Sequence, residues 1–400
     1  MDGLALVRRE LIALWAGGKG KTLIAIAVGW GLLIGTRVIY PVLLPSLSDE
    51  FDLTLTTAGL LVTIVWLGYA LGQVPGGVLA DRHGERKVLT ASIVVFVIGL
   101  TFVVLAPTAV VLFGATGLVG LGISLYPIAR ITALSELYPD RIGRALGVTM
   151  ATGDIGQTIL PPIASILTIT VAWQAGLSFV IPLLVLIGII IWLTVPKHTP
   201  TETGVDDLSI ASVRYVVGEL RQPTLAFMGV ILFLYIGIWQ TFSAFYPTYL
   251  INSKGLSATI ASGLFGLLFA VGVVAKPLAG VAYDRVGIRR SLPIVLGGSI
   301  VGFAILPVVE GFWPLVVVTV LISTMLGSGA ITQSYLAETI PSDIQGTGLG
   351  AVRSTASTMG AMGPVLFGAV AERGYFNEGY VALAVLVGII TLLTLRLPRE

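Results

Sequence analysis

Five ionisable residues sit inside long apolar runs of this sequence: Arg37, Arg130, Asp154, Lys276 and Arg353. A charge at bilayer depth is costly and is usually kept for function. Four of the five are basic, so a cavity that they line is electropositive and attracts an anion. Arginine adds a planar fork that matches a carboxylate or phosphate with two parallel hydrogen bonds. Arg37 falls about halfway through its run, after Gly35 and Thr36, too deep to reach water easily. Arg130, Lys276 and Arg353 are also open to a second reading, in which their long side chains snorkel to a membrane interface. Asp154 has two readings as well, a neutralising partner for a nearby base or a carboxyl that carries a proton.

Aromatic and amide side chains recur at similar depth: Trp30, Tyr40, Trp66, Tyr126, Gln157, Tyr235, Trp239 and Gln240. Trp and Tyr are also ordinary anchors at membrane interfaces. Tyr126, Trp239 and Gln240 lie deepest by count and are expected to complete a substrate site with the bases.

Other chemistries find no residues. Cysteine is absent, and the two histidines, His83 and His198, stand beside charged or polar segments. No metal site and no cofactor are expected. A phosphate-cradling P-loop is missing, which excludes ATP-driven pumping by this chain, and so is the H-E-x-x-H of zinc proteases. Gly153-Asp154 and Tyr283-Asp284 faintly resemble the paired aspartates of intramembrane proteases. The first glycine of that pattern is missing, the order is reversed and Asp284 falls at a polar segment. The chain is not expected to be an enzyme or to bind nucleic acid.

The elements that position these charges are apolar spans. The 400 residues are 56% hydrophobic and only 11% charged, against roughly 25% charged in soluble domains. So few charges cannot build a water-facing surface, so the apolar face meets lipid. The 49 glycines fit the same setting, where small residues let helices approach closely. Twelve spans are predicted near 23–47, 57–80, 88–106, 109–135, 144–168, 173–195, 224–250, 258–281, 291–308, 312–336, 346–370 and 379–397, each about as long as a bilayer crossing. The first is too long for a signal-peptide core, and no cleavable signal peptide is read at the start.

With both termini inside, the cytoplasmic segments collect Arg8, Arg9, Lys19, Lys21, Arg82, Arg86, Lys87, Arg141, Arg144, Lys197, Arg285, Arg289 and Arg290, among others, whereas the opposite side holds only Lys254 and Arg373. That asymmetry predicts a multi-pass protein of the cell membrane with both termini cytoplasmic. The polar stretch around Pro196–Pro223 then divides the chain. Residues 1–22 form a cytoplasmic N-terminal segment, 23–195 one six-helix bundle, 196–222 a cytoplasmic linker with a short amphipathic run, and 223–400 a second bundle.

The two bundles repeat each other. Gly77-Val-Leu-Ala-Asp81-Arg82-His-Gly84-Glu-Arg86-Lys-Val-Leu89 stands 203 positions before Gly280-Val-Ala-Tyr-Asp284-Arg285-Val-Gly287-Ile-Arg289-Arg-Ser-Leu292. The same offset relates Asp140, Gly143, Leu146, Gly147 and Pro161 to Asp343, Gly346, Leu349, Gly350 and Pro364. In this loop Gly77 and Gly280 would let two helices close over them. Asp81 and Asp284 are read as following helix ends and capping a neighbouring N-terminus. Arg82, Arg86, Arg285 and Arg289 would pair with acids or lipid phosphates. A cluster that forms in one state and breaks in another is a gate, although the same charges also satisfy the positive-inside rule.

The doubled G-x-L-A-D-R-x-G-x-R-K-x-L loop resembles the signature of the major facilitator superfamily. Glu136-Leu-Tyr-Pro139-Asp-Arg-Ile-Gly143-Arg144-Ala-Leu-Gly147 is similar to that family's loop between the fourth and fifth spans. The resemblance covers nearly the whole chain. It implies an all-α membrane protein of twelve helices in two pseudo-symmetric bundles, a central cavity and transport by alternating access. It also implies that the fifth and eighth helices meet across the halves, which makes an Asp154–Lys276 latch plausible.

Family members that move organic anions place bases in the first, eighth or eleventh spans, as Arg37, Lys276 and Arg353 are placed. The offset puts Gln73 and Met150 opposite Lys276 and Arg353, so these charges were added to the repeat. Drug-efflux members carry a glycine-rich fifth span. Here Gly147, Gly156 and Pro161 match it, but Leu160, Ala164 and Ser165 replace glycines, and their fourth-span arginine falls near Thr116. The expectation is a secondary transporter of a small anion such as a carboxylate, with a coupling proton or other ion as a further partner. Proton-coupled efflux of drugs or metabolites and a transport-inactive sensor of the same fold are the alternatives.

Overall fold

Inside a bilayer every backbone N–H and C=O must find its partner within the protein, and a helix meets that demand within one segment. The computed structural model describes residues 19–197, 218, 222–340 and 345–397, with only the backbone of 74, 77, 81 and 345–347. Most of the linker expected over 196–222 lies outside the described residues. The helices group into twelve spans: α1 (Lys19–Arg37 continued by Ile39–Phe51), α2 (Leu55–Leu71 continued by Gln73–His83), α3 (Glu85–Val104), α4 (Ala109–Leu137), α5 (Ile142–Thr170), α6 (Trp173–Ser178 continued by Val180–Thr194), α7 (Pro223–Asn252), α8 (Ala258–Val286), α9 (Ile288–Ile305), α10 (Phe312–Ser323 and Ser328–Thr339, joined by a 3₁₀ turn), α11 (Gln345–Gly360 continued by Gly363–Glu372) and α12 (Phe376–Thr394). They run beyond several of the apolar windows, because their polar end turns can project from the hydrocarbon.

Among the described residues, nine spans are long and apolar enough to cross a membrane by composition alone. The other three are α2, α5 and α11. The α2 helix is interrupted at Gly72 and α11 after Gly360, while α5 carries Thr149, Asp154, Gln157, Pro161 and Pro162 in one helix. All three pack against the other half of the molecule: α2 packs on α11, and α5 packs on α8. A span that packs between the halves turns part of its surface to a partner helix, so it does not need a wholly apolar surface.

The duplication is visible in the helix starts. Leu55 and Ala258, Glu85 and Ile288, Ala109 and Phe312, Ile142 and Gln345, and Trp173 and Phe376 each begin helices 203 residues apart. The Asp-Arg-x-Gly turns also repeat in backbone form. Gly84 has φ 82° and Gly287 has φ 68°, and each alone links two consecutive helices. A side chain is disfavoured there, which is the reason for glycine at both positions.

Two expectations for these loops are corrected. Asp81 and Asp284 do not follow helix ends but lie inside the last turns of α2 and α8. A Cβ at Gly280 would meet nothing within 4 Å, so no helix closes over it in this state. The side-chain surroundings of Gly77 and Asp81 lie outside the described residues.

The halves touch mainly at the end away from Lys19 and Leu397, here called the distal end. There α2 and α11 meet backbone to backbone, and a Cβ on Gly59 or Gly368 would strike the carbonyl of Pro364 or Leu55. The Thr63 hydroxyl donates to the Ala361 carbonyl at 2.7 Å. The Thr56 N–H donates to the Glu372 carboxylate at 3.1 Å, and the Thr56 hydroxyl donates to the same oxygen. At the terminal end the second piece of α2 packs on α3 and α4 of its own half, and the second piece of α10 packs on α7, α8, α9 and α11 of its own. The bundle is sealed distally and parts toward the end that carries the termini.

Replacing Gly287 by alanine places a side chain in a positive-φ backbone, at a cost of about 1–3 kcal/mol. The G287A variant should unfold at lower temperature than the parent in detergent, whereas G280A, with open space around it, should not.

Candidate functional site

The deep arginines lie on α1, α4 and α11, and α1 and α2 supply aromatic neighbours to two of them. The Arg37 guanidinium lies 4.1 Å from the Trp66 ring centroid and 5.2 Å from that of Tyr69. Trp66 and Tyr69, three residues apart on α2, share a helix face and stand edge to face at 6.1 Å. The Arg130 guanidinium lies 4.2 Å from the Trp30 ring, which is stacked on Tyr126. Tyr69 is within electrostatic reach of both Arg37 and Arg130.

Neither arginine is fully spent. Nε of Arg37, and Nε and Nη1 of Arg130, are buried without a hydrogen-bond partner. An aromatic face stabilises a desolvated cation by about 0.5–2 kcal/mol but accepts no conventional hydrogen bond. These nitrogens therefore keep unsatisfied hydrogen-bonding capacity in this state.

From the other half, Arg353 Nη1 donates to Gln333 Oε1 at 3.0 Å, and Tyr235 is within its electrostatic reach. Ser354, next to Arg353, reaches the carbonyl of Ala70, next to Tyr69, at 3.5 Å. That contact brings Arg353 to the level of the α2 aromatic pair. Arg353 is exposed, consistent with a cavity that opens toward the terminal end.

Lys276 and Asp154 form a separate unit across the α5–α8 interface. Lys276 Nζ lies 2.6 Å from Asp154 Oδ1, with the carboxylate side chain 10% exposed and the lysine 36% exposed. Gln157 Nε2 donates to the same oxygen at 3.4 Å. One turn further along α5, a Cβ on Gly266 of α8 would lie 2.6 Å from the Thr158 carbonyl, so the two helices are in close contact just beyond the pair. Lys276 is thus matched by Asp154, whereas the three arginines have no such carboxylate pair among the described residues.

Tyr126 does not line the cavity: it is fully buried, and its hydroxyl donates to the Ile26 carbonyl at 2.9 Å. Gln240 is also fully buried. Its Nε2 reaches the Ser357 carbonyl at 3.5 Å, and its Oε1 has no partner. Trp239 is half-buried against Phe242 and Phe269. Of the loop residues, Arg82, Asp284 and Arg285 are exposed. Arg86 rests on Trp192 and Arg289 donates to the Leu395 carbonyl. Tyr69 and Gln333 were not anticipated; for Tyr69 the signal was its spacing from Trp66, and for Gln333 only the packing of α10 on α11 reveals it.

The chain matches the model of the Major Facilitator Superfamily over residues 25–364 and 273–400. The chain belongs to that superfamily. Its members are transporters and not enzymes, and this is a multi-pass membrane protein. It is 25% identical to the hexuronate transporter of Bacillus subtilis (strain 168) over 380 residues, 89% of each chain. It is 23% identical to the cis,cis-muconate transport protein of Acinetobacter baylyi, covering 85% of this chain and 84% of that one. Among solved structures, the fold is similar to a bacterial homologue of the human lysosomal transporter Spinster in an inward-facing, unoccupied conformation, with TM-score 0.75 and 16% identity over 94% of this chain and 95% of the other.

If the Asp154–Lys276 pair ties α5 to α8, the two residues are energetically coupled. D154A and K276A should each lower thermal stability in detergent, and the double variant should lose less than their sum, with a coupling of about 0.5–3 kcal/mol.

Proposed function

We propose that this superfamily member carries a small organic anion, a carboxylate, across the cell membrane by alternating access. The observation that carries it is the trio of Arg37 and Arg130, buried against aromatic rings with unpartnered guanidinium nitrogens, and the exposed Arg353, while Asp154 is engaged by Lys276. A carboxylate supplies the two acceptor oxygens that such forks match, and in a low-dielectric site its charge offsets theirs. The relatives whose names specify hexuronate and muconate support the same class.

The distal seal and the terminal opening are one state of the cycle. Anion binding between Arg37 and Arg130 of one half and Arg353 of the other would draw the halves together at the terminal end. Release of the α2–α11 and α5–α8 contacts would then open the distal end. In this scheme Asp154–Lys276 is the ionic contact that must part. Asp154 has a second role open to it, carrying the coupling proton once Lys276 lets go. The Asp-Arg-x-Gly loops stand at the end that closes last, with Arg82, Asp284 and Arg285 free to form a gate there.

Counterflow in proteoliposomes against a panel of mono- and dicarboxylates and inorganic anions tests the reading. At least one carboxylate should exchange, and Arg37→Ala and Arg353→Ala should each abolish its exchange. Unchanged transport of every accepted substrate in both variants would overturn the anion site. Loss of proton movement with retained counterflow in Asp154→Asn would assign the carrier role to that carboxyl.

The terminal end is the cytoplasmic one in this reading, because the basic segments gather there. The chain has no cysteine, so introduced thiols report the sidedness directly. In intact cells, Lys254→Cys should react with a membrane-impermeant maleimide and Arg285→Cys should not.

A further inference from the structure

The two halves differ in a groove on the surface of the first half. Between α3 and α6, on the face turned to lipid, a groove of about 310 Å³ is lined by Thr90, Ile93, Val94, Val185, Gly188 and Trp192, with a few further apolar residues. Its rims stay uncovered: Val94 is 49% exposed and Val185 45%. At the terminal end the groove meets Arg86, one helical turn before Thr90, whose hydroxyl donates to the Arg86 carbonyl. The Arg86 guanidinium lies 4.2 Å from the Trp192 ring, and its Nε is buried with no partner. Lys87 beside it is exposed.

The repeat supplies an internal comparison. The 203-residue offset takes Arg86 to Arg289, Trp192 to Leu395 and Gly188 to Thr391. Arg289 spends its guanidinium on the Leu395 carbonyl. The aromatic platform is gone, and a side chain stands where Gly188 leaves space. Duplication would have produced the same surface twice, so the groove and the unspent arginine were acquired, or kept, together on one half.

We infer that this groove is a site for an anionic glycerophospholipid, with one acyl chain between α3 and α6 and its headgroup phosphate on Arg86. An almost wholly apolar groove open to the bilayer suits a hydrocarbon chain. The length of a phospholipid then sets its headgroup at the membrane boundary, where Arg86, held by Trp192, presents donors to phosphate oxygens. Charge complementarity selects an acidic lipid over a zwitterionic one.

The test uses the full chain reconstituted in nanodiscs of equal parts phosphatidylglycerol and phosphatidylcholine, released into the gas phase and read by native mass spectrometry for retained lipid. The parent should retain phosphatidylglycerol in preference to phosphatidylcholine. Arg86→Gln should lower that retention about fivefold, the worth of one basic residue facing an acidic lipid. Val94→Trp, which fills the groove from its exposed rim, should lower it without altering the charge. Arg289→Gln, the repeat-related control, should leave it unchanged. Equal retention of the two lipids by the parent, wild-type retention in both Arg86→Gln and Val94→Trp, or an equal loss in Arg289→Gln would overturn the assignment. A mass shift to a second copy of this chain in place of lipid would do the same.

Discussion

A guanidinium inside a membrane bundle has to be stabilised by something, and that requirement organises the centre of this protein. Burying a charge without compensation is prohibitive, yet only Asp154 among the five intramembrane ionisable residues is acidic. Its charge is matched to Lys276 at 2.6 Å. Arg37 and Arg130 are held by Trp66, Tyr69 and Trp30 instead. Ring faces stabilise a cation without neutralising it. Arg37 and Arg130 therefore keep their positive charge, where carboxylate partners would have neutralised it. The same logic recurs at Arg86 on Trp192, at the membrane boundary.

The second constraint is that two bundles must touch firmly at one end and still be able to part. Close backbone approach at Gly59 and Gly368 supplies the distal contact, and a few polar groups pin it: Thr63 to Ala361, and Thr56 to Glu372. These are short, local contacts, each worth on the order of 1 kcal/mol. A surface of that kind can be exchanged for another at the far end without a large net cost. The Asp154–Lys276 pair adds one ionic contact between α5 and α8.

Duplication explains the scaffold, and the two copies depart from each other at particular side chains. Five helix pairs begin 203 residues apart, and the two positive-φ glycines repeat in step with them. Lys276 and Arg353 face Gln73 and Met150 across that offset, and Trp192 faces Leu395. Where the copies agree, backbone geometry is the reason; where they differ, the chemistry of a side chain is.

The sequence by itself determined the membrane setting, the twelve spans and the repeat. These follow from composition, from length against bilayer thickness and from identical residues at one offset, none of which needs long-range contacts to be known. It also singled out Arg37, Arg130, Asp154, Lys276 and Arg353, because a charge in an apolar run is conspicuous wherever the fold takes it. Only the tertiary structure decided which neighbours those charges meet. Tyr69 and Gln333 carry no such mark in a linear reading, and Tyr126 looked like a ligand until packing turned its hydroxyl onto Ile26. The loop aspartates looked like caps until the helices proved to run one turn further, to glycines whose backbone requires them. Depth along a helix is a local property that residue order encodes; the face a side chain turns to its neighbours is settled only when the helices pack.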